Sequence, residues 1–177
     1  MKFDIEIPKQ LSHLKIDERG YPIPYFAPVR DGKPIFRLAD HRKIKNCIKH
    51  KLCGICGKHL PSGDTYIISG PVGLQNGVSS DAMMHLVCAK FTLVACPHIF
   101  YKKAERKEET SSVMVPGKPD EYFLIKVKKW GAFWTKTQVK NAAGHLVTED
   151  IQLFGFKPES WKKYKYIDNV LVEDPGT

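Results

Sequence analysis

The chain has 177 residues, the size of one globular domain or one domain with an appendage, and is 42% apolar and 27% charged. That composition excludes wholesale disorder, a collagen-like repeat and a coiled coil, and without a run of 18 apolar residues it excludes a membrane-spanning helix. Lys and Arg outnumber Asp and Glu by 28 to 19, a formal charge of +9 that points to an anionic partner such as nucleic acid.

Residues 1 to 36 contain Pro8, Pro22, Pro24, Pro28 and Pro34. Proline fixes φ and removes a donor, so this region is expected to be an extended arm or edge strand. Asp4, Glu6, Asp17 and Glu18 interrupt it and no apolar h-region is present, so no signal peptide is read and the expected location is the cytoplasm. Asp31-Gly32 reads as a turn, and Ile35 to Leu38 as a short strand. Asp40 is an N-cap candidate for a helix from His41 to about Lys51, with Ile44, Cys47, Ile48 and Lys51 on one face. Its cations gather towards the C-terminal end, where the helix dipole favours them. Cys53-Gly54-Ile55-Cys56-Gly57 is a tight glycine-bearing turn.

Thr65 to Ser69 reads as a strand, the Gly-rich stretch through Gly70, Gly73 and Gly77 as a loop, and residues 64 to 79 leave room for a hairpin. Ser80 or Asp81 is expected to cap a second helix running to about Ala95 and ended by Pro97. Residues 37 to 101 form the expected core, and Lys102 to Asp120, polar and carrying Pro116 and Pro119, the expected linker. From 121 to 177 the pattern becomes β-rich, with Phe123, Ile125 and Val127 alternating with Leu124, Lys126 and Lys128. Asn141 to Gly144 is a turn candidate, and Pro158 to Tyr166 a short terminal helix.

Five cysteines, an odd count, all lie between positions 47 and 96. In a reducing compartment such clustering indicates metal ligation rather than a disulfide framework. Cys53-x-x-Cys56 and His85-x-x-Cys88 are two pairs with the three-residue spacing that lets a turn, and then the first turn of a helix, grip one ion. A turn pair followed by a helix pair is the arrangement of a treble-clef zinc site. Three Cys and one His complete a tetrahedron, so the expected Zn2+ is structural. The competing reading, buried apolar cysteines and a satisfied core histidine, does not explain two matched pairs. Cys96 is an alternative ligand and Cys96-Pro97-His98 a candidate second site. The preferred reading keeps Cys47 and Cys96 in the core and His50, His59 and His98 on the surface.

Known catalytic patterns are missing. There is no His-x-Glu with Pro-Cys-x-x-Cys, no His-Glu-x-x-His, no phosphate-binding loop ending in Gly-Lys-Ser/Thr, and no thioredoxin-like context for Cys53-x-x-Cys56. A treble-clef nuclease would need His50, His59 or His98 as its catalytic base, and no second His-Asn pairing accompanies them.

Tyr21-Pro22-Ile23-Pro24, Cys53-Gly54-Ile55-Cys56-Gly57-Lys58-His59-Leu60, Met84-His85-Leu86-Val87-Cys88-Ala89 and Ala95-Cys96-Pro97 together resemble an uncharacterised family of bacterial and phage proteins. The resemblance covers residues of about 20 to 100 and implies a shared zinc-bearing core and a bacterial host cell, without implying an activity.

The expected fold is therefore α+β, a treble-clef-like zinc core with a C-terminal β-rich extension. The expected function is zinc-stabilised, non-catalytic binding of DNA or RNA. Arg42, Lys43, Lys45, Lys49, Lys51 and Lys58, a run without an acid, would meet phosphates. Ten of the 19 aromatics lie between Tyr122 and Tyr166 among lysines, either stacking on bases or, in the favoured reading, forming a small β core from Trp130, Trp134, Phe154 and Phe156. The alternative is a module, phage-derived or bacterial, that binds and modulates a host protein through loops such as Gly70 to Ser79 or Lys102 to Asp120.

Overall fold

Proline and glycine set where the N-terminal part can be regular. The computed structural model describes residues 5–36, 38–96, 99, 119–140 and 145–175. After Pro8 the chain makes one 3-10 turn, Lys9–Leu11, which buries Leu11 completely. Val29–Arg30 (β1) and Lys33–Pro34 (β2) pair around Asp31 and Gly32, both at positive φ, the conformation a tight two-residue hairpin turn requires. The short strand expected at Ile35 to Leu38 lies earlier than its sequence suggested. Ile35 adds a last bond to the Pro28 carbonyl and the chain then turns away.

Asp40 caps the helix α1, His41–Lys49, by accepting from the Arg42 amide at 2.9 Å. The helix stops short of Lys51 because that residue adopts φ +50°. Strand β3 is Thr65–Ser69, as expected. The glycine-rich stretch after it is not a loop. Pro71 opens a short helix α2, Pro71–Asn76, and left-handed Gly77 closes it before β4, Val78–Ser79. No hairpin joins β3 to β4, because each pairs with a strand from the C-terminal region.

The second long helix, α3, is Leu86–Ala95, and its cap is His85 rather than Ser80 or Asp81. Ala82, Met83 and Met84 are buried and run extended, with Met84 exchanging two 2.8 Å backbone bonds with Tyr66. Three apolar residues suit an extended segment as readily as a first helical turn, and here β3 binds Met84 while the Gly54 amide binds the Met83 carbonyl.

The rest is one antiparallel sheet. Strands β5 (Glu121–Lys140), β6 (Leu146–Ile167) and β7 (Val170–Asp174) join β3 and β4 in the order β3-β5-β6-β4, with β7 also on β6. Pro158 to Tyr166 is part of β6, not a terminal helix. Cross-strand ion pairs Lys163–Glu121, Lys162–Glu173 and Lys165–Asp174 hold it there. Pro158, which has no N–H for the ladder, sits at an irregularity: Val127 pairs with Pro158 and Lys126 with Ser160, leaving Glu159 over, and Lys128 is left over on β5.

The core lies where α3 and the N-terminal arm meet β3 and β5, with Leu11, Ile67, Met83, Ala89, Ile125, Val127 and Phe154 almost fully buried. The fold is thus mixed α and β with a sheet-rich body, and the C-terminal strands share their sheet with residues 65–79. Residues 102–118 of the expected linker, the turn at 141–144, Pro97 and His98 lie outside the described residues. No helix among the described residues is long and apolar enough to cross a membrane.

Candidate metal centre

The backbone forms the knuckle before any ligand is considered. The Leu60 amide bonds the Lys51 carbonyl at 2.7 Å and the Cys53 amide bonds the Lys58 carbonyl at 2.8 Å, closing a narrow loop. Within it the Gly57 amide bonds the Cys53 carbonyl at 2.9 Å. The two glycines are needed for different reasons. Gly57 has φ +70° and a Cβ there would stand 2.7 Å from the Tyr25 ring; at Gly54 a Cβ would meet the Ala82 Cβ at 2.6 Å.

The second pair comes from the start of α3. As the N-cap, His85 sits outside the helical conformation and turns its ring back to the knuckle, while Cys88 lies in the first turn on the same side. The ligand atoms of Cys53, Cys56, His85 and Cys88 all lie within 4.8 Å of one another, a group that can hold a metal ion. His85 Nδ1 is 3.4 Å from Cys56 Sγ and 3.9 Å from Cys88 Sγ. The three cysteines are buried.

The imidazole is oriented as a ligand. His85 Nε2–H donates to the His59 carbonyl at 2.9 Å, which places the proton on Nε2 and leaves the Nδ1 lone pair facing the thiols. Electrostatics points the same way. Contacts from Cys53 and Cys88 favour the thiolate of Cys56 and draw its pKa far down. The Cys56 contact pushes the Cys53 thiol up, and contacts with Cys53 and Cys56 do the same to Cys88. The crowded thiols thus oppose one another's ionisation, whereas a dication between them would favour all three thiolates.

The other cysteines and histidines are elsewhere. Cys47 is buried on α1 outside the cluster, and burial pushes its thiol up to about 12. Cys96 closes α3 away from the cluster, and His50 and His59 are exposed. The His59 backbone, not its ring, is what serves the site.

Sequence reading missed the arm. Tyr25 and Phe26 amides bond the Ile55 and Gly54 carbonyls at 2.8 and 3.0 Å, and His13 Nε2–H donates to the Cys56 carbonyl at 2.9 Å. The only signal was indirect: Tyr21-Pro22-Ile23-Pro24 demands extended backbone, and extended backbone needs a partner strand.

The basic residues of the expected interface separate into two kinds. Arg42, Lys45, Lys49, Lys51 and Lys58 are exposed. Lys43 turns inward, donating to the Ala27 carbonyl at 2.7 Å beside the Tyr25 ring. The aromatics separate too. Phe154 and Phe156 are buried and Trp130 packs on Phe154, but Trp134 and Trp161 are 49% and 55% exposed, so Trp134 does not belong to the β core. Comparison with known proteins finds no matching family model, no matching curated protein and no matching solved structure.

Proposed function

We propose that the chain is a zinc-stabilised, non-catalytic nucleic-acid-binding protein built on a treble-clef-like centre, acting in the cytoplasm of a bacterial host cell as its resemblance to bacterial and phage proteins implies. The metal assignment draws on donor chemistry. Three thiolates and an imidazole suit Zn2+, and tetrahedral bonds of about 2.3 Å to sulfur and 2.0–2.1 Å to nitrogen put S and N about 3.6 Å apart. The two sulfur-to-nitrogen separations in the cluster, 3.4 and 3.9 Å, bracket that value. Protein atoms fill all four positions, so no place is left for an activated water.

One observation carries the nucleic-acid reading. Lys45 Nζ lies 5.4 Å from the centre of the half-exposed Trp134 ring, so the basic face of α1 and an aromatic of β5, distant in sequence, share one surface. Phosphate-binding cations beside open rings are what a nucleic-acid surface needs. Gly70 to Ser79, one of the loops named for the host-protein alternative, is helix and strand.

Fluorescence anisotropy of the zinc-loaded protein with duplex DNA, single-stranded DNA and RNA across a salt series tests the reading. Phosphate contacts by five exposed cations give a log–log slope of about 3.5 to 4.5. No binding to any of the three at low salt refutes it.

A further inference from the structure

A cleft of about 440 Å³ opens between the end of α1, the loop at residues 60–63 and the irregular part of β5. That volume is within the roughly 300–1,000 Å³ of sites that enclose a small ligand or a single ligand group. Its floor is apolar, from Ile48, Val127 and Trp130, and its rim carries Lys51, Lys128 and Lys129. No Asp or Glu is among its lining residues, and none of the three lysines has an ion pair among the described residues. Asp64, next to the rim, is engaged by the Tyr66 hydroxyl.

The irregular pairing explains this rim. In a regular strand Lys128 and Lys129 would face opposite sides. Lys128 has no opposite number on β6, so the alternation resets and both lysines are exposed beside the same opening. Trp130 follows, its ring packed at 6.1 Å and a 46° tilt on Phe154, which fixes it as a rigid wall rather than a mobile surface aromatic.

We infer that this cleft takes an unstacked base of a single-stranded nucleic acid against Trp130, with the adjoining phosphates held by Lys51, Lys128 and Lys129. The inference deepens the nucleic-acid reading and rests on it. A concave opening of this size does not admit a duplex, whose bases stay stacked inside, but it does admit a base splayed from a flexible strand.

The test uses the zinc-loaded full chain carrying Trp134→Phe and Trp161→Phe, so that Trp130 is the sole fluorophore of its kind. Oligothymidylate and oligouridylate of about 12 nucleotides, within the usual site size, and a duplex of the same length serve as probes. Single strands are expected to quench Trp130 and to bind at least tenfold more tightly than the duplex; comparing the two oligonucleotides separates DNA from RNA. Lys128→Glu with Lys129→Glu is expected to weaken single-strand binding at least tenfold, against less than threefold for Lys15→Glu with Lys33→Glu, which changes the charge equally outside the cleft. Salt-dependent binding without Trp130 quenching, a duplex preference, or equal effects of the two double variants overturns the cleft while leaving the nucleic-acid reading intact. Because Trp134 belongs to the surface that carries the nucleic-acid reading, binding of every probe is also measured with the unsubstituted zinc-loaded chain, and absence of binding there overturns both.

Discussion

Cys88 and Cys47 are both at least 99% buried, yet loss of each thiol is expected to have opposite consequences for the metal. Cys88→Ser removes one of four donors. A structural zinc contributes on the order of 10 kcal/mol or more, while a whole domain is stable by about 5–15 kcal/mol, so losing the ion removes most of the folding free energy. Cys47→Ala leaves the four ligands in place and removes one buried sulfur, worth about 1 kcal/mol by apolar area. For a chain of this length that lowers Tm by about 2–4 °C. Metal content per chain and thermal melting, measured on the zinc-loaded protein, both variants and the chelator-treated protein, separate the two cases. Cys88→Ser and the chelated protein are expected to lose the native transition together, whereas Cys47→Ala keeps one ion and a slightly lowered melt. Cys88→Ser that still holds one zinc and melts like the native protein refutes the reasoning, and so does Cys47→Ala that has lost its ion.

Gly54→Ala forces a Cβ onto Ala82 and the Phe26 ring and is expected to destabilise by about 1–3 kcal/mol in denaturant titration, whereas Gly131→Ala, where a Cβ meets nothing within 4 Å, shifts the midpoint little. The Cys47 thiol, held up at about 12 by burial, is expected to resist alkylation at pH 8 until the chain unfolds. Because its folded pKa lies above its unfolded value, its contribution to stability is complete below about pH 9 and is lost as pH rises towards 12. Burial works against ionised Asp17, but bonds from the Tyr21 amide and from the side chain and amide of Arg19 outweigh it and hold its carboxyl below 3.8. Its stabilisation is therefore present above that value and is lost as pH falls through the folded pKa. Asp17→Asn is expected to cost about 1–3 kcal/mol at pH 7 and to flatten the acid side of the stability profile.

The cluster of Cys53, Cys56, His85 and Cys88, which can hold a metal ion, was legible because its geometry is local: a three-residue spacing in a glycine-bearing turn, and again at a helix start, sets both pairs without reference to the rest of the chain. The start of α3 was not, because Ser79 bonds the Asp81 amide as a helix cap would, yet Met83 is then bonded by the Gly54 amide of the knuckle and Met84 by Tyr66 of β3. Trp161 to Tyr166 misled for a related reason. Its mixture of aromatics and lysines suits a helix end as well as a strand, and the partners that decide between them, the backbone ladders with β5 and β7 and the carboxylates those strands carry, lie elsewhere in the chain. The arm was invisible because its partners at Gly54, Ile55 and Cys56 lie about 30 to 40 residues away, and nothing in its own pattern names them.

The same ion pairs decide where the positive charge is available. Lys126, Lys162, Lys163 and Lys165 each face a carboxylate, so the sheet end near β7 is largely self-neutralised and contributes little to attracting a polyanion. An excess remains on α1, where Arg42 pairs with Asp40 but Lys45 and Lys49 have no ion pair among the described residues, on the knuckle and at the irregular part of β5. Its position follows from sequence in three steps. Pro158 cannot donate to β5, so the ladder slips by one residue on each strand; the slip exposes Lys128 and Lys129 together; and the knuckle, closed by the Leu52–His59 bridge and the Leu60-to-Lys51 bond, brings Lys51 to the opposite rim. On the proposed zinc reading, an ion joining Cys53 and Cys56 to His85 and Cys88 adds to the backbone bonds that already place the knuckle, so chelation is expected to loosen the Lys51 rim as well as to lower stability.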